Sequence, residues 1–250
     1  MTVLELYKHF DNSFPRELSC EWDNDGLMCC PDGEREVKRV LVSLDVTDGA
    51  VDKAIEGGFD VIISHHPMIF KGLKAINDEH FISCKAIKLI RAGISVMSFH
   101  TRLDAAEGGV NDILAGLLNL KDAVPFGDGI GRIGTLEAPV ELFGFARFVK
   151  DTLGAPTVSI ADANKAVFKV AVLGGSGKDE LNAAVAAGAD TYLSGELGHH
   201  ALTDAPEMGI NLIEAGHFYT EAPVCTFLAD TLRGLGIESE IFNSNTTKRI

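Results

Sequence analysis

The sequence has no long basic stretch, no CxxC pair and no apolar run long enough to cross a bilayer. Lysine and arginine total 22 against 36 aspartates and glutamates, a formal net charge of -14. No basic cluster is longer than Lys248-Arg249, so a polyphosphate backbone meets repulsion and nucleic acid is disfavoured as a main partner. Apolar runs such as Val61-Ile62-Ile63 fall far short of the ~20 residues of a membrane-spanning helix. The opening Met1-Thr2-Val3-Leu4-Glu5-Leu6 lacks the basic-then-apolar order of a signal peptide. Cysteine is sparse. Five residues, an odd set with an adjacent Cys29-Cys30 pair and no secretion signal, fit reduced thiols and a cytoplasmic location. There is no Gly-x-Ser-x-Gly nucleophile elbow. Gly174-Gly175-Ser176-Gly177-Lys178 is not a Walker A motif, because Asp179 stands where Ser or Thr must follow the lysine.

What is present is enough apolar residue for a sizeable core: 46% hydrophobic against 23% charged over 250 residues, room for one large domain or two small ones. Helical spacing begins at Val3–Phe10, and Pro15 and Trp22-Asp23-Asn24-Asp25-Gly26 break it. Val37–Leu44 predicts a strand. Thr47 or Asp48 predicts the cap of a helix ending at Gly57. Phe59–Ile63 reads as a strand buried on both faces. A helix over Ser83–Ala92, stopped by Gly93, precedes a strand at Ile94–Phe99. The later part repeats the order, with strands at Phe168–Leu173, Thr191–Ser194 and Ile210–Glu214, and a helix over Asp179–Ala187. Alternation of this kind predicts an α/β fold with a mostly parallel sheet. Gly58–Ser64 matches Gly188–Ser194, and Gly93-Ile94 matches Gly209-Ile210, in the same order. The chain therefore reads as two similar α/β halves, 1–122 and 157–250, joined by a connecting segment, 123–156, that is too short for an inserted domain and reads partly as a strand.

Chemistry gathers where strands end. In open α/β sheets sites lie beyond the carboxyl ends of strands. His65-His66 follows one strand, His100 and Asp104 another, His217 and Glu221 a third. His100 and His217 are each followed four residues later by a carboxylate. Imidazole and carboxylate ligands without cysteine point to a divalent metal site, with room for two metals, and suit zinc, iron, manganese, cobalt or nickel. His100 is a ligand, a partner to a ligand, or an acid/base. His199-His200 either line the cleft or cap a helix; His9 and His80 read as structural. Gly174, Gly175, Ser176 and Gly177 read as a tight strand-to-helix turn whose amides offer an anion site. Lys71 and Lys74 are loop charges or contacts for an anionic substrate.

Taken together, Trp22–Leu27, Ser64-His65-His66-Pro67-Met68-Ile69-Phe70, His100-Thr101-Arg102-Leu103-Asp104, Gly174–Gly177, Gly195-Glu196 and Gly216–Glu221 closely resemble the NIF-three-like family, whose members carry the label GTP cyclohydrolase I type two. The resemblance runs from the first helix almost to the C-terminus. It implies two α/β halves with a dinuclear metal site between them, and a toroidal homohexamer with sites facing an interior cavity. It assigns metal ligands to His65, His66, Asp104, His217 and Glu221, with Asp104 bridging, and places His100 nearby. The reaction implied is a hydrolysis, of which opening of the guanine imidazole ring of GTP to formate and dihydroneopterin triphosphate is the named case. The alternatives are a metal-dependent phosphoesterase and a non-catalytic ring that binds metal or docks partners.

Overall fold

The structure is a computed structural model that describes residues 1–247; the Lys248-Arg249 pair lies outside the described residues. The strands are β1 (Gly26–Cys29), β2 (Arg39–Ser43), β3 (Val61–Ser64), β4 (Ser95–Ser98), β5 (Lys121–Phe126), β6 (Gly131–Val140), β7 (Ser159–Ala161), β8 (Val167–Ser176), β9 (Thr191–Glu196), β10 (Asn211–Glu214) and β11 (Glu238–Phe242). The α-helices are α1 (Val3–Ser13), α2 (Asp48–Glu56), α3 (Phe81–Ala92), α4 (Thr101–Ala105), α5 (Val110–Leu117), α6 (Leu142–Leu153), α7 (Leu181–Ala186), α8 (Gly198–Asp204), α9 (His217–Glu221) and α10 (Pro223–Gly234). They form two compact units, one of Met1–Leu103 with Val224–Thr247, the other containing Asp104–Pro223.

The first unit is built on a sheet ordered β1-β4-β3-β2-β11. β4, β3, β2 and β11 run parallel, and β1 is antiparallel at the edge. Every residue of β3 is buried, as its continuous Val61-Ile62-Ile63 run predicts. Leu41, Val51, Phe59, Ile62, Leu89 and Val96 form one core with the helices. Thr47 caps α2 by accepting from the Ala50 amide at 3.2 Å, and His80 caps α3 by accepting from the Ile82 amide at 3.3 Å.

The second unit carries a sheet ordered β5-β6-β8-β9-β10-β7. Its faces can be read residue by residue. Val170, Val172, Leu193 and Ile213 enter one apolar cluster, whereas the alternating Ala171, Leu173, Tyr192 and Leu212 enter another. A side-chain period of two thus buries both faces of the parallel strands.

The repeat seen in the sequence is a repeat of hydrogen bonds. The Asp60 carboxylate accepts from the Lys38 and Arg39 amides; the Asp190 carboxylate accepts from those of Phe168 and Lys169. The backbone amide of Ser95 donates to Asp60, and that of Asn211 to Asp190. β1-β4-β3-β2 in one sheet therefore matches β7-β10-β9-β8 in the other, antiparallel edge included.

Three expectations need correction. The units are not the contiguous stretches 1–122 and 157–250, because β11 pairs with β2 in the first sheet. A parallel pairing across nearly the whole chain leaves no local sequence signal. Residues 123–156 do not merely connect: β5 and β6 extend the second sheet, and Leu142–Leu153 is a helix capped by Glu141. Gly174-Gly175-Ser176 is the end of β8 rather than a turn.

Candidate metal centre

The parallel strands of the first unit end together at a group of histidines. His65 and His66 leave β3, their amides donating to Ser43 and Leu44 carbonyls, while the Ser64 hydroxyl donates to the His66 carbonyl at 2.8 Å. His100 follows β4. Ligand atoms of His65, His66 and His100 lie within 4.8 Å of one another. Each ring is oriented through Nδ1: His65 by the Phe99 carbonyl at 3.0 Å, His66 by Asp45 at 2.8 Å, His100 by Asp23 at 2.9 Å. A neutral imidazole that donates from Nδ1 keeps its lone pair on Nε2, the arrangement that outer-shell oxygens impose on metal-binding histidines.

The oxygens are themselves held. Asp45 accepts from the Ser244 hydroxyl at 3.2 Å. Asp23 is buried and also takes hydrogen bonds from the Thr101 amide and hydroxyl. Burial pushes its carboxyl up, but the hydrogen bonds from His100 and Thr101 outweigh that and hold it below the usual carboxylate range. Asp25, two residues on, binds the fully buried Arg102 at 2.9 Å as well as Arg16. The Trp22–Gly26 segment thereby fixes the start of α4.

In the second unit, α9 presents His217 and Glu221 one turn apart, Nε2 to Oε2 at 3.0 Å, and His217 Nδ1 lies 3.4 Å from Glu196. Gly174 and Gly175 make room for this pair. A Cβ on Gly175 would strike the Glu221 carboxylate and lie 3.3 Å from His217 Nε2; one on Gly174 would lie 3.2 Å from Glu221 Cγ. Gly175 also has φ +68°, which favours glycine. The Gly174, Gly175 and Gly177 amides donate to Asn111, Thr220 and Glu196. Asp104 is buried, its backbone carbonyl accepting from Asn111 Nδ2 at 3.2 Å.

The two His-x-x-x-carboxylate segments are not at matching positions. Ser98 pairs with Ser64, and Glu214 with Ser194, the equivalent place. Counting on from these, His100 matches Gly216, and His217 matches Thr101. The motifs are out of phase by one residue. Lys71 lies in the exposed loop after the histidine pair, and His199 and His200 are exposed on α8. Asp23, Asp45, Asn111 and Glu196 carry parts of these arrangements that spacing did not reveal. Asp45 and Glu196 stand at strand ends, and Asp23 lies in the Trp22–Gly26 segment; those were the available signals.

Fold and site define a two-sheet α/β protein whose strand ends carry His, Asp and Glu groups that could hold a metal ion. The family model for Duf34/NIF3 (NGG1p interacting factor 3) matches residues 1–249, and the chain belongs to that family. It is 31% identical over 241 residues to a "GTP cyclohydrolase 1 type 2 homolog" of Clostridium perfringens, covering 93% of this chain and 92% of that one. It is 32% identical over 264 residues to "Protein NIF3 homolog" of Schizosaccharomyces pombe, covering 96% and 94%. Among solved structures, Staphylococcus aureus protein SA1388 aligns with a TM-score of 0.89 at 27% identity, covering 100% and 99%. Reduced HcgD from Methanocaldococcus jannaschii aligns at 0.85 and 29%, covering 96% and 97%. Among the described residues, no helix is long and apolar enough to cross a membrane.

Proposed function

We propose that this protein is a dinuclear metal-dependent hydrolase, with His65, His66, Asp104, His217 and Glu221 as ligands and GTP as the candidate substrate. The observation that carries the reading is the donor chemistry: three imidazoles gathered within 4.8 Å, each oriented through Nδ1 by an oxygen. Imidazole and carboxylate donors with no thiolate among them fit a divalent, catalytic type of ion better than a structural one. The cradle at Gly175, where any side chain would displace the Glu221 carboxylate, supports a second group of ligands.

When bound, the ions would supply an activated water and a Lewis acid for the atom under attack. The chain supplies the rest. Asp23 holds His100 so that Nε2 takes a proton from the attacking water and returns it to the leaving nitrogen. Lys71 meets the anionic part of the substrate, whereas the Gly174, Gly175 and Gly177 amides are already taken by Asn111, Thr220 and Glu196 and do not form the anion site that composition predicts. In this reading the protein works in the cytoplasm as a toroidal homohexamer.

The test is turnover of GTP and a phosphoester panel by metal-loaded protein beside an Asp104→Ala variant. Metal-dependent release of formate from GTP, lost in the variant, is expected. Metal uptake without turnover of any compound would transfer the protein to the non-catalytic, metal-binding class.

A further inference from the structure

Trp22 and Phe70 have no part in the proton transfers above, yet both stand in solvent. Trp22, the single tryptophan of the chain, is 63% exposed, and Phe70 is 43% exposed. Aromatic rings this large are normally covered. These two are not scattered. Their centroids are 6.0 Å apart, and each is about the same distance from His100, at 6.1 and 6.2 Å, all three pairs edge to face. The exposed rings therefore stand against a member of the histidine group.

The pair is braced from behind. Asn24 Nδ2 donates to the Ile69 carbonyl at 2.5 Å, tying the Trp22 segment to the residue before Phe70. Asp23, between Trp22 and Asn24, is locked to His100 and Thr101. The backbone segments that carry the two rings are thus tied together before a ligand arrives, which lowers the entropic cost of binding. Phe70 also walls a cavity of about 690 Å³ lined by Lys71 and Lys74, two cations against the single carboxylate of Glu79 there, on a chain of net charge -14. Two rings expose far less area than the ~800 Å² per partner of a stable protein interface, so a small planar molecule suits them better than a second chain.

We propose that Trp22 and Phe70 form a stacking platform that binds a planar heteroaromatic ring beside His100, while Lys71 and Lys74 receive its anionic tail. The proposal rests on the hydrolase reading and names the residues that select its substrate by shape. It extends the role of the Trp22–Gly26 segment from fixing α4 to binding.

Because Trp22 is the only tryptophan, its emission reports on this place alone. The full chain is titrated, with excitation at the red edge of the indole band, with GTP, guanosine, inorganic tripolyphosphate and ribose 5-phosphate. Saturable quenching by GTP and guanosine, with none from the two ring-free compounds, is expected. Phe70→Ala weakens both by about tenfold or more, as loss of a stacking partner does. Lys71→Ala with Lys74→Ala weakens GTP and leaves guanosine unchanged. Both rings are exposed, so Phe70→Ala and Trp22→Ala should keep the wild-type circular dichroism, and equilibrium dialysis reads binding to the latter. Absence of saturable quenching by either ring-bearing ligand, or equal binding of tripolyphosphate, overturns the platform. So does emission that follows protein concentration alone, which marks a contact between copies. Metal content and turnover of ring-free phosphoesters are measured in parallel. A chain that takes up metal but does not stack loses only this proposal; one that stacks but takes up no metal loses the hydrolase reading.

Discussion

At the scale of single residues, His65, His66 and His100 share one arrangement: an oxygen fixes Nδ1 and so decides what Nε2 can do. For His100 that oxygen belongs to Asp23. Asp23→Asn should leave metal content unchanged and lower turnover by about 100-fold, the scale of a mispositioned acid/base. Equal loss of metal and activity would instead make Asp23 part of the metal-holding structure. Glycine positions divide in a similar way. Gly58 has φ +65° and open space around its absent Cβ, whereas Gly175 has φ +68° and the Glu221 carboxylate in the way. Gly58→Ala should cost about 1 kcal/mol from backbone strain alone. Gly175→Ala should cost more and reduce bound metal, read by thermal unfolding and elemental analysis. The histidines were legible as residues ending apolar runs. Asp23, Asp45 and Glu196 were not, since a lone carboxylate in a loop or at a strand end has no pattern of its own until the fold brings a partner to it.

Among elements, the strands and helices that alternate locally were legible, because each has its own period and its own stop. Gly93 ends α3 in the left-handed conformation, and β3 is the buried run that its composition announces. What was not legible came from pairing. β11 is a short segment without buried alternation whose partner lies at the other end of the chain. The glycine run at the end of β8 looks like a turn by composition, yet it continues the strand because its glycines admit the α9 side chains. The helix-to-strand turn at Asp60 gives an element-scale prediction. Burial raises the Asp60 carboxyl, but the Lys38 and Arg39 amides and the Arg35 guanidinium outweigh it and lower its pKa. A lowered folded pKa adds stability above the ordinary carboxylate range, and this is lost as pH falls through the lowered value. Asp60→Asn should therefore cost ~1–3 kcal/mol near neutral pH, and less as the solution is acidified. Denaturant unfolding at a series of pH values reads both. Ending the chain before β11 should uncover β2 as an edge and favour aggregation, visible by light scattering.

For the whole molecule, the duplication shows in matching strand order and matching hydrogen bonds in the two sheets. One supersecondary unit is repeated, and the out-of-phase motifs show that its copies have diverged where the proposed ligands lie. The proposed homohexamer predicts sedimentation at six times the chain mass; a monomer at micromolar concentration would remove that part of the account. Metal stoichiometry tests the proposed dinuclear centre most directly. Elemental analysis of the reconstituted chain should give about two divalent ions per chain, as a dinuclear centre requires, falling in Asp104→Ala. A value near zero after reconstitution, or one unchanged by that substitution, would contradict it.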